Sequence, residues 1–248
     1  MPTLFVIAGP NGIGKTTSSY DVVPKNTPVI NSDEIAKEAR IAGLLTVNAQ
    51  EYSNREAMRL IDEQTKTRNS FAIETNFADV DTWKFLLEMQ KIGYKIHLKF
   101  FSTDDIHILN ERISERYRQG EHFVKPEVVM ERYVNGLNLL NHYFTRPDIL
   151  ELFDNTKKMV RLAEITQGHI IEVVESLPNW VTQYLGQHFQ QQIEQQKKVR
   201  ELGSIEEVRK NYEDLKAKAD SPLQKKDKSG NDLKEQNKNS NKQKPKGL

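Results

Sequence analysis

Residues Gly9-Pro10-Asn11-Gly12-Ile13-Gly14-Lys15-Thr16 follow directly on the apolar run Leu4-Phe5-Val6-Ile7-Ala8. A short apolar run reads as a buried strand. A strand that empties into a glycine-rich turn closed by Lys-Thr presents a row of backbone N–H groups where the next helix begins, at or close to Lys15. Side chains would hold a multiply charged anion away from those donors, whereas glycine leaves them open and tolerates positive φ, a need that Gly9 and Gly14 fit. Lys15 supplies a flexible ammonium for the β- and γ-phosphates of a nucleoside triphosphate, and the Thr16 hydroxyl suits the first coordination sphere of magnesium. Gly9, Pro10, Asn11, Gly12, Ile13, Gly14, Lys15, Thr16 and Thr17 are therefore expected to hold ATP with Mg2+. An anion-binding turn without turnover is the alternative.

The chain has 248 residues, enough for one α/β domain with an appendage. A formal charge of +1 exerts no global pull toward nucleic acid or an anionic membrane. The absence of cysteine excludes a disulfide scaffold, a thiolate metal site and a cysteine nucleophile, and makes a cytoplasmic location the simpler expectation. The first apolar run is too short to span a bilayer, so no membrane partner is expected. No His, Asp and Glu set has zinc-binding spacing, which leaves nucleotide-borne magnesium as the one expected metal.

Strands are expected at 28–31, 70–76 and 94–101, with an edge hairpin of 158–165 and 169–174 around Gln167-Gly168. Helices are expected to end before Pro24, to begin near Ile35, and to cover 52–69, 81–92, 106–118 and 126–140; the segment before Asp154 reads as helical. This alternation argues for a parallel sheet covered on both faces. The folded portion is expected to span 1–186. From Gln187 the chain turns Gln/Lys/Glu-rich, giving a partly helical extension over 187–220 with Ser204 capping a helix to Ala219. Residues 221–248 are polar and basic and read as disordered; a solvated tail is the plainer reading, recruitment of nucleic acid or an acidic partner the other.

Asp33 falls at a strand end, where open parallel sheets place their ligands. It can orient an acceptor hydroxyl and take its proton, or serve magnesium; capping the next helix is the competing reading. Glu74, at another strand end, is the second carboxylate. Arg112 and Arg116 share one side of a helix, and Arg132 approaches from the next. Their forked guanidiniums suit phosphate oxygens, with local pairing to Glu111, Glu115 or Glu131 as the alternative. His122 can touch an acceptor. Asn155, in Asp154-Asn155-Thr156, can read a base edge or shape a turn. Tyr117, Tyr133 and Trp180 can stack on a base, although packing is the simpler use. His97 falls on the opposite face of its strand from Ile96 and Leu98, and His142 reads as helix packing.

Together, the phosphate loop, Asn31-Ser32-Asp33, Ile73-Glu74-Thr75-Asn76, the segment 116–122 and Pro126-Glu127-Val128-Val129-Met130-Glu131-Arg132-Tyr133 resemble the zeta-toxin-like family of small phosphate-loop kinases over about residues 1–185. The resemblance implies a three-layer α/β/α P-loop NTPase domain with a mostly parallel sheet and a helical lid. It implies ATP-dependent phosphoryl transfer to a hydroxyl of a small molecule, with a UDP-amino-sugar as the acceptor known in the family, and an antitoxin protein as partner. Carried onto this sequence, Lys15 and Thr16 hold nucleotide and magnesium, and Asp33 is the acceptor-side base. Glu74, with Asn76, Arg118 and His122 nearby, meets the acceptor, while Arg116 and Arg132 attend the transferred group and Asn155 belongs to a nucleotide-side loop. Gly120-Glu121-His122 and Lys125-Pro126 depart from the family pattern, which weakens the cell-wall acceptor in particular. A nucleotide-controlled ATPase or binding protein, recruited to nucleic acid or a protein through its tail, is the other class of function.

Overall fold

The structure is a computed structural model that describes residues 1–118 and 123–219. Its framework is β1 (Thr3–Ala8), whose alternation sends Leu4, Val6 and Ala8 into one apolar cluster and Phe5 and Ile7 into another on the opposite face. β3 (Phe71–Thr75) and β4 (Lys95–Ser102) flank β1 in parallel, with β2 (Val29–Ile30) outside β3 and β5 (Ile149–Asp154) outside β4. An antiparallel pair, β6 (Val160–Thr166) and β7 (His169–Val173), completes the order β2-β3-β1-β4-β5-β6-β7. The expected edge hairpin is present and turns at Gln167-Gly168, both at positive φ.

Helices cover both faces. One cluster receives α3 (Thr46–Lys66) through Ala57, Leu60 and Ile61, α4 (Val80–Lys91) through Trp83, Leu86 and Met89, and the start of α7 (Asn179–Ala219) through Trp180 and Val181. The other receives α1 (Lys15–Val22) and α5 (Ile106–Arg118), the latter through Leu109 and Ile113. α6 (Pro126–His142) contributes Val129 to the second cluster and Leu137 and Leu140 to the first. The fold is thus a mixed α/β domain with a mostly parallel sheet and flanking helices.

Two expectations are corrected. The segment before Asp154 is strand, not helix: Leu150 and Leu152 are buried on one face and Phe153 stacks on Phe101 on the other. Glu151 is buried only because His97, Lys99 and Arg161 surround it. Secondly, α7 continues through Ser204, which lies within the helix and not before it. The chain divides into two compact units, residues 1–195 and 196–248. The tail 221–248 and His122 lie outside the described residues. Among the described residues, no helix is long and apolar enough to cross a membrane.

Candidate functional site

β1 ends between the carboxyl ends of β3 and β4, at the point where the chain leaves the sheet in opposite directions, which is where open parallel sheets place their ligands. The loop that follows is enclosed by neighbouring backbone. At Gly9 (φ 143°) a Cβ would lie 2.3 Å from the Phe101 carbonyl oxygen, and at Gly12 (φ 79°) 2.5 Å from that of Leu109. Neither position can carry a side chain without moving β4 or α5. Gly14 precedes α1 in a left-handed conformation, and among the described residues no side chain caps this helix and no acid occupies its first turn. Its opening N–H groups are thus left for an anion.

Lys15 folds back across the loop. Its Nζ donates to the carbonyls of Gly9 (2.8 Å) and Pro10 (3.0 Å) and to Asn76 Oδ1 (3.3 Å). Burial lowers this ammonium from 10.5 to about 8; the carboxylates of Glu74 and Asp33 oppose that fall, and the guanidiniums of Arg116 and Arg132 add to it. Four residues assigned from sequence therefore converge electrostatically on one amine.

The Thr16 hydroxyl donates to Glu74 Oε1 (3.0 Å), while Glu74 Oε2 accepts from Asn31 Nδ2 (2.9 Å). Burial raises the Glu74 carboxyl above its usual range, against the pull of Lys15. Asn31 Oδ1 in turn accepts from the backbone N–H groups of Asp33 (2.9 Å) and Glu34 (3.3 Å). Asn31 is therefore the cap of α2 (Ser32–Ile41), a helix that starts three residues before the expected position. Asp33 does not cap it. Its carboxylate is exposed, with no hydrogen-bond donor among the described residues. Asn31 ties the helix carrying Asp33 to the pair Thr16–Glu74, a role not assigned from sequence; its signal was a cap-forming residue immediately ahead of Ser-Asp-Glu.

On the opposite side Arg132 Nη1 donates to Asn11 Oδ1 (2.9 Å), so α6 does reach the loop. Arg118 instead pairs with Glu115 (2.7 Å) on the surface. Arg112 is held by backbone: Nη1 donates to the Asn155 carbonyl (3.0 Å) and Nη2 to that of Thr156 (2.8 Å), with Ile13 O at 3.5 Å. Asn155 Nδ2 donates to the same Ile13 carbonyl (2.8 Å). The Asn155 side chain thus reaches across to the phosphate loop, while its own turn is closed by the Thr156 N–H donating to Asp154 Oδ1 (3.0 Å), and Arg112 clamps the two together. Thr17 is exposed on α1. Tyr133 donates to the Thr103 carbonyl (2.8 Å) and Trp180 Nε1 to Asp154 Oδ2 (3.2 Å), so both phenol and indole are engaged in packing. Tyr117 is exposed against Phe123, with ring centroids 5.3 Å apart.

Among the described residues no cluster of three or more His, Asp or Glu side chains is arranged to hold a metal. The Thr16 hydroxyl beside a carboxylate nevertheless fits magnesium, which takes one or two protein oxygens and completes its shell with phosphate and water.

Known proteins resemble this chain in sequence or in fold. A protein of Haemophilus influenzae described as uncharacterized is 26% identical over 127 residues, which make up 50% of this chain and 88% of that protein. The AvrRxo1-ORF1:AvrRxo1-ORF2 complex with sulphate ions superposes with a TM-score of 0.57 at 15% identity, over 71% of this chain and 62% of that one. The same pair with ATP gives 0.57 at 16% identity, over 70% and 60%. A structure of the PezAT chromosomal toxin-antitoxin system of Streptococcus pneumoniae gives 0.50 at 16% identity, over 64% and 71%. The chain spans about three fifths of the length of the first two structures, and at these identities the likeness is one of fold. Residues 4–139 match the family model of the AAA domain, more than half of the 248 residues, and the chain belongs to that family, with a P-loop NTPase fold.

Proposed function

We propose that this protein transfers the γ-phosphoryl group of ATP to a hydroxyl of a small molecule, with a UDP-amino-sugar as the first acceptor to test. The observation that carries the reading is the convergence of Asp33, Glu74, Arg116 and Arg132 on the buried Lys15 ammonium at the mouth of the loop. A loop that only bound phosphate would need its amides and its lysine. Carboxylates and guanidiniums gathered around one amine are what phosphoryl transfer needs, because catalysis there is mostly alignment and charge stabilisation. Lys15 and the amides of the loop hold the triphosphate. Bound through Thr16, with Glu74 behind it, magnesium would neutralise charge on the phosphates.

Asp33, exposed and unencumbered, aligns the acceptor hydroxyl and accepts its proton; the new bond joins acceptor oxygen to phosphorus as the bond to the β-phosphate oxygen breaks and ADP leaves. Arg116 and Arg132 meet the equatorial oxygens as charge redistributes. Asn76 contacts the amine from the acceptor side. The ATP bound by one structure of the same fold, and the antitoxin partner of another, support nucleotide as the donor and a protein as the regulator.

The test incubates the purified protein with ATP, magnesium and a metabolite panel that includes UDP-amino-sugars, and looks by mass for a gain of one phosphate. Asp33→Asn should keep ATP affinity and lose most of the transfer. Turnover that depends on DNA or RNA, with no phosphorylated metabolite, would overturn the reading in favour of a nucleic-acid-associated ATPase.

A further inference from the structure

Within the second unit, every side chain from Ile205 to Lys216 is exposed. Four of them are large and apolar: Ile205 (54%), Val208 (68%), Tyr212 (68%) and Leu215 (66%). Their spacing of three, four and three residues places them on one stripe of α7, the a and d positions of a heptad pattern. A helix with no burial of its own is marginal in water, and a stripe of this kind recovers free energy only when another surface covers it.

The flanks specify which surface. The e positions beside the stripe are Arg209 and Lys216, and the g positions are Ser204, Asn211 and Lys218; the acids Glu206, Glu207, Glu213 and Asp214 all fall at b and c, away from it. Residues 221–248 add eight lysines against three acidic residues. We infer that the stripe Ile205, Val208, Tyr212 and Leu215 is the docking seam for a helix of a partner protein whose own apolar row is flanked by Glu and Asp. A second copy of this chain does not meet the requirement. In a parallel pair Arg209 and Lys216 would face Ser204 and Asn211, and in an antiparallel pair they would face each other, so neither arrangement brings an opposite charge. Acidic flanks on the partner satisfy both e positions, and the basic stretch that follows steers their approach. The inference does not depend on the phosphotransfer reading.

The test uses the full chain and two labelled amphipathic peptides about three heptads long, with identical Ile/Leu rows and either Glu or Lys at every e and g position. Fluorescence anisotropy is expected to show the Glu-flanked peptide binding about tenfold more tightly, with the margin narrowing as salt rises. Val208→Glu with Leu215→Glu should abolish binding, and these sites are exposed, so the near-ultraviolet signal of Trp83 and Trp180 should not change. Arg209→Glu with Lys216→Glu should reverse the peptide preference. Equal affinity for the two peptides, or binding of neither, overturns the proposal. So does self-association in sedimentation, or oligonucleotide binding, that Val208→Glu with Leu215→Glu removes.

Discussion

Raising the pH from 7.5 to 9 should weaken ATP binding through a single group. Burial lowers Lys15 to about 8 in the nucleotide-free protein, and a triphosphate at the loop favours the charged amine. Binding therefore takes up a proton wherever free Lys15 is neutral. About one molecule in ten retains the charge at pH 9, so affinity should be about tenfold lower than at neutral pH, roughly 1.4 kcal/mol. The phosphate itself has finished titrating by pH 7.5. Isothermal titration with magnesium chelated, in buffers of different ionisation enthalpy, should register about half a proton taken up near pH 8. Lys15→Met should bind ATP weakly, with a flat profile.

The opposite sign holds for stability. The folded state binds the Lys15 proton less tightly than the unfolded chain, a penalty of about 3 kcal/mol below pH 8 that fades as pH rises to 10.5. Lys15→Met should therefore raise the melting temperature of the nucleotide-free protein while it destroys binding. An ATP affinity constant from pH 7.5 to 9.5, or a pH step that survives in Lys15→Met, would refute the reasoning.

Gly12→Ala should lower stability by about 2–4 kcal/mol in urea denaturation, because its Cβ meets the Leu109 carbonyl; Gly43→Ala, at φ 97° with nothing within 4 Å, should cost only about 1 kcal/mol. Arg112→Ala should cost about 1–3 kcal/mol and weaken ATP binding about tenfold by releasing two carbonyls that shape the loop, while Arg118→Ala should leave both stability and binding unchanged. Burial raises the Glu151 carboxyl, but His97, Lys99 and Arg161 outweigh it and hold the group at about 2, so its contribution is present above about pH 4.5 and is lost as pH falls toward 2. Glu151→Gln should remove about 3 kcal/mol at pH 7 and flatten that acid limb in denaturant titrations.

The phosphate loop, the alternation of β4 and the boundaries of α5 were legible because each is a local signal: period, glycine, proline. β5 was not. Ile149-Leu150-Glu151-Leu152 fits either period, and its charge belongs to a strand interior only by virtue of Lys99 and His97 one strand away. Asn31-Ser32-Asp33 offered three cap-forming residues in a row, and only backbone geometry chose the first. Arg112 and Arg116 could not be separated by spacing. What distinguishes Arg112 is a pair of carbonyl oxygens more than 40 residues later. The convergence of Arg132 on the loop was legible because a phosphate site calls for extra positive charge, while the contact with Asn11 was not.

The clamp formed by Arg112 and Asn155 also sets an order of events. Ile13 waits on a side chain 142 positions downstream, so the loop leaves the ribosome long before the residue that braces it. A nascent chain that stops short of Asn155 would carry the loop glycines, Lys15 and Thr16 without the Asn155 brace, and should bind ATP poorly until the fifth strand has zipped onto the fourth.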